Sequence, residues 1–369
     1  MRILITGGGS GGHSYPLVAV SQQILQLSQQ NNLMTEIYYL GAINFSQDLL
    51  DQLGIKSHFI FSIKLRRYFS FRTIWDLIKL PFGLLQILFW LYLLMPDVIF
   101  SKGGPGSFLV VLGAWLYRIP VVIHESDSVS GLNNRLSGRI ARTVFIAFDK
   151  AKQFFDPKKT FLVGNPLRAG IFNINTRLIE EFFKTNSSQP ILLVIGGSQG
   201  AQFINEKIIS ILPQLTQKYQ VIHVCGLAHY QKYQAVISQL KTINQSNYHL
   251  YNLLNEEQMF AAYALANLVL ARSGAGAIFE LAYLAKPSIL IPLPDAAGDH
   301  QKINAYDYIQ NGAGIVLEQP NLTEHVLLQR ISALMDSPER LSLMAQAARN
   351  FAKPDAAVQI AQAVLQYAT

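Results

Sequence analysis

The chain has 369 residues, 50% hydrophobic and 14% charged, with a formal net charge of +7 and a single cysteine, Cys225. That length is too great for one compact core and fits two domains, each apolar enough to build a substantial interior. One cysteine excludes an internal disulfide and suits a reducing compartment, and the basic balance favours anionic partners such as phosphates, nucleic acid or acidic lipids.

Met1 and Arg2 run straight into an apolar strand, so no secretory leader is expected. Strand-like runs are predicted near 2–6, 36–40, 57–61, 97–101, 120–123, 143–146 and 160–163 in the first half. In the second half they fall near 191–195, 219–225, 248–251, 267–271, 288–292 and 314–317. Helix-period segments fill the gaps, which predicts an α/β architecture with parallel sheets.

The first strand feeds Gly7-Gly8-Gly9-Ser10-Gly11-Gly12-His13. Glycine lets backbone N–H groups approach a ligand, and the helix that follows directs its positive end at the same spot. Gly7, Gly9 and Gly12 match the dinucleotide-binding spacing, but such a site wants an acidic residue closing the second strand. That strand ends Tyr38-Tyr39-Leu40-Gly41, with Glu36 at its start, which disfavours a nicotinamide oxidoreductase. His13 opens the helix at the glycine loop. The helix end disfavours a cationic imidazole, so His13 reads either as a proton acceptor or as a polar helix-start residue.

Residues 61–95 are the compositional outlier. Lys64, Arg66, Arg67 and Arg72 lie among Leu65, Tyr68, Phe69, Phe71 and Trp75, and an apolar run from Leu84 to Met95 follows. A spanning helix needs about 20 apolar residues, and Lys79 and Pro81 interrupt this one. Pro81 suits the first turn of a helix. Two readings stay open from the residues alone: docking on an anionic membrane surface, or a core-facing helix beside a solvated basic loop.

Gly164-Asn165-Pro166 makes a turn, and Thr185–Pro190 is a polar connection before the second half. The domain boundary is placed near 166. Arg168 follows it, either as a phosphate-neutralising group or as a surface arginine. Ile191–Ile195 then feeds a second glycine turn, Gly196-Gly197-Ser198-Gln199-Gly200, without the Lys of a phosphate-loop NTPase. Two such turns suggest two nucleotide-fold halves facing a shared cleft.

Leu268-Val269-Leu270 leads into Arg272-Ser273-Gly274-Ala275-Gly276-Ala277-Ile278-Phe279-Glu280. Ser273 is expected to cap the helix, whose exposed N–H groups make a diphosphate seat. Glu280 lies roughly 9 Å further along the axis, about the span from a diphosphate to a ribose. Gln301 and Asn304, after Asp299-His300, share one helix face and suit sugar hydroxyls or plain solvent. The tail after Pro354 reads as one more apolar-periodic helix. No Asp-x-Asp pair, H-E-x-x-H or Cys/His cluster points to a metal, and no cofactor is expected.

The ordered set of motifs resembles the MurG family of glycosyltransferases over nearly the whole chain. It comprises Gly9-Ser10-Gly11-Gly12-His13, Ser101-Lys102-Gly103-Gly104, His124-Glu125-Ser126-Asp127, Gly164-Asn165-Pro166-Leu167-Arg168, Gly196–Ala201, Arg272–Glu280 and Asp299-His300-Gln301. The resemblance implies a GT-B fold: two Rossmann-like domains facing an interdomain cleft. They would be an acceptor- and membrane-binding domain at 1–166, a UDP-sugar domain at 167–350, and a C-terminal helix at 351–369 returning to the first.

It also implies transfer of N-acetylglucosamine from UDP-N-acetylglucosamine to lipid I, forming lipid II for the peptidoglycan cell wall, and hence roles in cell shape and division. Donor contacts carry over to Ser10, Gly11, Gly12, Asp127, Arg168, Ser198, Leu254, Ala275, Gly276, Ala277, Ile278, Phe279, Glu280, Gln301 and Asn304, with Asp127 standing where many relatives have Asn. The mechanism implied is an inverting displacement with His13 as first choice of base and Glu125 as second. The expected place is the cytoplasmic side of the cell membrane, held peripherally through Phe61–Met95, with other cell-wall synthesis proteins as partners and no nucleic acid. The competing readings are a UDP-N-acetylglucosamine 2-epimerase and a non-catalytic nucleotide-sugar sensor at the membrane.

Overall fold

The computed structural model describes the chain except residues 9–10, 43–46, 61–70, 105, 176–181, 184, 186–188, 198–199 and 241, and the side chains at 11, 13 and 71–80. The chain divides into two compact units, Met1–Arg168 with Lys353–Thr369, and Ala169–Ala352.

The first unit is built on seven parallel strands: β1 Arg2–Thr6, β2 Glu36–Gly41, β3 Lys56–Phe59, β4 Val98–Ser101, β5 Val121–Glu125, β6 Thr143–Ile146 and β7 Thr160–Leu162. Their spatial order is β3-β2-β1-β4-β5-β6-β7. The helices between them are α1 Gly11–Gln30, α2 Gln47–Gln52, α3 Phe71–Leu94, α4 Ser107–Leu116 and α5 Leu132–Ile140. Every residue of β4 and β5 is buried, as expected where helices cover both faces of a parallel sheet. β3 is shorter than the predicted run and ends where the Ile60 N–H donates to the Gly41 carbonyl at 3.0 Å. Pro81 does not open a helix; it lies inside α3. Its ring is exposed, so the hydrogen bond its missing N–H forfeits is lost on the solvent side.

The second unit repeats the plan. Its elements are β8 Ile191–Ile195, α6 Gln202–Lys218, β9 Gln220–Val224, α7 Tyr230–Gln239, β10 Tyr248–Tyr251, α8 Glu256–Leu265, β11 Leu268–Ala271, α9 Ala275–Tyr283, β12 Ser288–Leu290, α10 His300–Ile309, β13 Gly314–Val316, α11 Glu324–Met335 and α12 Pro338–Phe351. The strand order β10-β9-β8-β11-β12-β13 is the doubly wound Rossmann order.

A last helix, α13 Ala356–Ala368, belongs to the first unit. Its fully buried Ile360, Ala361 and Val364 join the core formed by Ile24 of α1 and Val98 of β4. Burying an aliphatic side chain of this size stabilises by about 1.5–3 kcal/mol. The Tyr367 hydroxyl lies 2.9 Å from the Thr143 hydroxyl and fixes the helix end against β6.

Candidate active site

In each unit the strand order reverses at one place, between β1 and β4 and between β8 and β11. A crevice opens there at the carboxyl ends of the strands, because the following loops leave in opposite directions. In the first unit Thr6 and Ser101 are register partners, so the glycine loops after β1 and β4 emerge side by side. They interlock: a Cβ on Gly104, whose φ is +99°, would collide with the Gly8 carbonyl, and one on Gly7 would come within 2.9 Å of the Gly103 carbonyl. Neither loop tolerates a side chain there, which keeps backbone at the crevice floor.

Tyr39, fully buried at the end of β2, places its hydroxyl 2.6 Å from the Gly7 carbonyl and 2.7 Å from the Ala42 carbonyl. Burial pushes this phenol well above its ordinary pKa. An aromatic prop thus stands where a dinucleotide site would carry a carboxylate. Glu36 sits at the opposite end of the strand, accepting from the Tyr38 hydroxyl at 2.9 Å. The oxidoreductase reading gains nothing from this geometry.

Glu125 ends β5 and is 3% exposed. Its Oε1 accepts from the Asp127 N–H at 3.1 Å, and its Oε2 from the Gly131 N–H at 3.2 Å and Asn134 Nδ2 at 3.1 Å. The carboxylate therefore organises the Ser126–Gly131 turn that carries half-buried Asp127. Burial and the Asp127 charge push the Glu125 carboxyl above its ordinary range, while the Lys102 ammonium pulls it back. Lys102, which follows β4, is 0% exposed, and its Nζ donates to the Ser126 hydroxyl. On α5, Asn133 Nδ2 donates to the Gly104 carbonyl at 2.7 Å, so this helix grips both the acid and the glycine loop.

Sequence reasoning named Glu125 and Asp127 but missed the supporting roles of Lys102, Asn133 and Asn134. Lys102 stood in a quoted motif, and no local pattern marks a lysine as buried. Gly11, Gly12 and His13 form the first turn of α1, where N–H groups lack intrahelical partners. Ser10 and Ser198 lie outside the described residues, as does the His13 side chain. The Arg168 guanidinium lies over the Tyr15 ring, 5.1 Å from its centre.

In the second unit Ala271 and Ile195 are register partners at the corresponding crevice. The α9 N-cap is Gly274, with no side-chain cap, so the expected Ser273 cap is not formed. The chain is extended at Gly274 and turns Ser273 inward, where its hydroxyl donates to the Gln301 carbonyl at 2.8 Å. The N–H groups of Ala275, Gly276 and Ala277 remain at the free helix start.

Ile278 and Phe279 do not offer contacts of the same kind. The Ile278 N–H donates to the Gly274 carbonyl at 3.1 Å, and both side chains are buried, because helical periodicity turns them into the core. Glu280 is 9% exposed on the same helix. Gln301 Oε1 accepts from the Leu293 N–H at 3.1 Å, pinning the loop before α10. Asn304 is fully buried with Nδ2 3.5 Å from the Ser273 carbonyl, so it braces the turn from beneath and does not line an open surface.

Arg272 is likewise structural: its Nη1 donates to the Ile291 and Pro292 carbonyls and to Gln319 Oε1, and burial lowers its pKa to about 10. Leu254 is half-buried in the loop between β10 and α8. Among the described residues no group of three His, Cys, Asp or Glu side chains is placed to hold a metal ion.

On α3, Phe82, Leu85, Phe89 and Tyr92 form one stripe, 57–66% exposed. Ile87 and Leu91 on the opposite side are buried and pack on Gly113 of α4. Among the described residues no helix is long and apolar enough to cross a membrane. Lys64, Arg66 and Arg67 lie outside the described residues, and so does the Arg72 side chain.

Residues 3–146 match the glycosyltransferase family 28 N-terminal domain and residues 191–360 its C-terminal domain. The chain is 35% identical over 342 residues to the UDP-N-acetylglucosamine--N-acetylmuramyl-(pentapeptide) pyrophosphoryl-undecaprenol N-acetylglucosamine transferase of Legionella pneumophila, covering 92% of this chain and 90% of that one. The crystal structure of Acinetobacter baumannii MurG superposes with a TM-score of 0.77 at 26% identity, covering 99% of both chains. A UDP-GlcNAc 2-epimerase from Neisseria meningitidis shares the fold, with a TM-score of 0.70 at 16% identity over 99% of this chain and all of that one. The chain belongs to the MurG family of N-acetylglucosamine transferases, within glycosyltransferase family 28.

Proposed function

We propose that this protein transfers N-acetylglucosamine from UDP-N-acetylglucosamine to the muramyl 4-hydroxyl of lipid I, yielding lipid II and UDP. The observation that carries this reading is the conjunction of family membership over nearly the whole chain with a free α9 N-terminus, Ala275–Ala277, braced by Ser273 and Gln301. A diphosphate at a helix start meets unpaired N–H groups and the positive end of the dipole. In this reading Glu280 takes the ribose hydroxyls, Leu254 the uracil side, and Gln301 the sugar.

The reaction is an inverting displacement at the anomeric carbon. A base takes the acceptor proton, the new C–O bond forms as the bond to UDP breaks, and negative charge grows on the diphosphate. The helix-end N–H groups stabilise that charge through preorganised electrostatics. His13 is the base of first choice. Glu125 is the second, and its three N–H donors give it a clear role in holding the Asp127 turn as well.

The α3 stripe is the surface by which the enzyme sits peripherally on the anionic cytoplasmic face of the membrane. An exposed apolar stripe on a chain of net charge +7 suits such a surface. Lipid I is membrane-bound, so docking brings the first unit to its acceptor. Purified protein given radiolabelled UDP-N-acetylglucosamine and a lipid I analogue, without added divalent cation, should form labelled disaccharide-lipid. Absence of labelled lipid with the donor bound would favour the sensor reading.

A further inference from the structure

The Tyr39 hydroxyl is enclosed at the end of β2 between the Gly7 carbonyl at 2.6 Å and the Ala42 carbonyl at 2.7 Å. A phenol has one proton to donate, so the two carbonyls share it. Gly7 opens the glycine loop after β1. Gly7 and Gly8 have φ values of +143° and +130°, a region that favours glycine. Sterics alone therefore do little to fix how the peptide between them is turned.

That peptide is trans, so its N–H points opposite to its carbonyl. With the Gly7 carbonyl held by Tyr39, the Gly8 N–H is directed away from the phenol. A Cβ on Gly104 would stand 3.3 Å from the Gly8 nitrogen, so this nitrogen lies beside the glycine loop after β4. Gly8 is buried, and among the described residues its N–H has no acceptor. A buried N–H without a partner is rare in a folded protein, and one between two loops at the floor of a crevice calls for an acceptor from a ligand.

We propose that Tyr39 is a positioning residue for the acceptor side of the reaction: by holding the Gly7 carbonyl it keeps the Gly8 N–H turned to the crevice between β1 and β4, where it donates to an anionic oxygen of the bound substrate. The proposal rests on the transfer function above, with the acceptor in the first unit, and not on which residue is the base.

The test is Tyr39→Phe, which deletes one oxygen and keeps the ring. Inorganic pyrophosphate is titrated into isotope-labelled protein, and assigned amide resonances are followed by NMR. In wild type the Gly8 amide proton should move downfield. In the variant that shift should be lost or at least halved, while the Ala275–Ala277 amides of the second unit respond alike in both proteins. Equal Gly8 responses in the two proteins overturn the proposal. So does a silent Gly8 amide in wild type, a result that needs no variant.

Steady-state transfer gives a second readout. The acceptor KM should rise about fivefold or more in Tyr39→Phe, the worth of one hydrogen bond, with UDP affinity unchanged. An unchanged KM, or an equal loss of UDP affinity, overturns the proposal. If wild type shows no acceptor-dependent transfer, the proposed function fails, and the Gly8 response still decides the role of Tyr39.

Discussion

The Ser273 hydroxyl donates to the Gln301 carbonyl at 2.8 Å, joining the turn that opens α9 to the first turn of α10. Asn304 braces the same turn from below, and the Gln301 side chain holds the Leu293 N–H. The proposed diphosphate seat is therefore braced by a network that two helix starts share. Ser273→Ala removes the link and leaves the Gln301 carbonyl short of a donor. A hydrogen bond of this kind contributes about 1 kcal/mol, so UDP affinity by titration calorimetry should fall roughly fivefold with the fold intact. Unchanged affinity would show that the link does not shape the seat.

His13→Ala should lower single-turnover transfer by about 10²–10⁴-fold, the usual worth of a general base. Donor affinity should stay near wild type, because the deleted group acts on the acceptor proton. A near-normal rate in folded protein removes His13 from the role and promotes Glu125.

Gly104→Ala tests the crevice floor. The new Cβ would collide with the Gly8 carbonyl at a backbone φ of +99°. Left-handed strain of this kind costs about 1–3 kcal/mol before the clash is counted. The melting temperature should drop and transfer should fall at least about tenfold. Wild-type stability in this variant would mean that the two loops do not interlock.

The α3 stripe predicts membrane affinity. Phe82→Ser and Phe89→Ser together remove two exposed rings, each worth about 1.5–3 kcal/mol when buried in an apolar medium. Sedimentation with anionic vesicles should weaken by well over tenfold, while turnover of a water-soluble acceptor analogue stays close to wild type. Equal vesicle binding would place the docking surface elsewhere.

His223 predicts an acid limit to stability. Its ring, fully buried between the Tyr248 hydroxyl at 2.8 Å and Asn205 Oδ1 at 3.0 Å, has its pKa lowered by burial to about 3. The unfolded state protonates near pH 6.5, so it binds the extra proton first as pH falls. The stabilisation is complete above about pH 6.5 and is lost progressively down to about pH 3. His223→Gln should flatten this part of the stability–pH curve in urea titrations. An unchanged slope would contradict the assignment.

Much of this architecture was legible in the chain because parallel strands buried on both faces read as short apolar runs, as Leu192–Ile195 and Ile99–Ser101 do. The glycine turns were legible because close backbone approach leaves no substitute for glycine. The helix start at α9 was less so. Ser273 and Gly274 both suit an N-cap, and the Ser273 hydroxyl chooses a partner 28 residues downstream. Within the run Ala275–Glu280 the helical period sends the Ile278 and Phe279 side chains to the core, which a linear motif does not display. Lys102 was the least legible, since a lysine is ordinarily exposed and this one is fully buried against the Ser126 hydroxyl.

The most direct measurement is UDP release from UDP-N-acetylglucosamine with and without a lipid I analogue, with the sugar products resolved. The account predicts UDP appearing in step with a β-linked disaccharide-lipid, and negligible turnover when acceptor is withheld. Conversion of the nucleotide sugar to its C2 epimer in the absence of acceptor would contradict it.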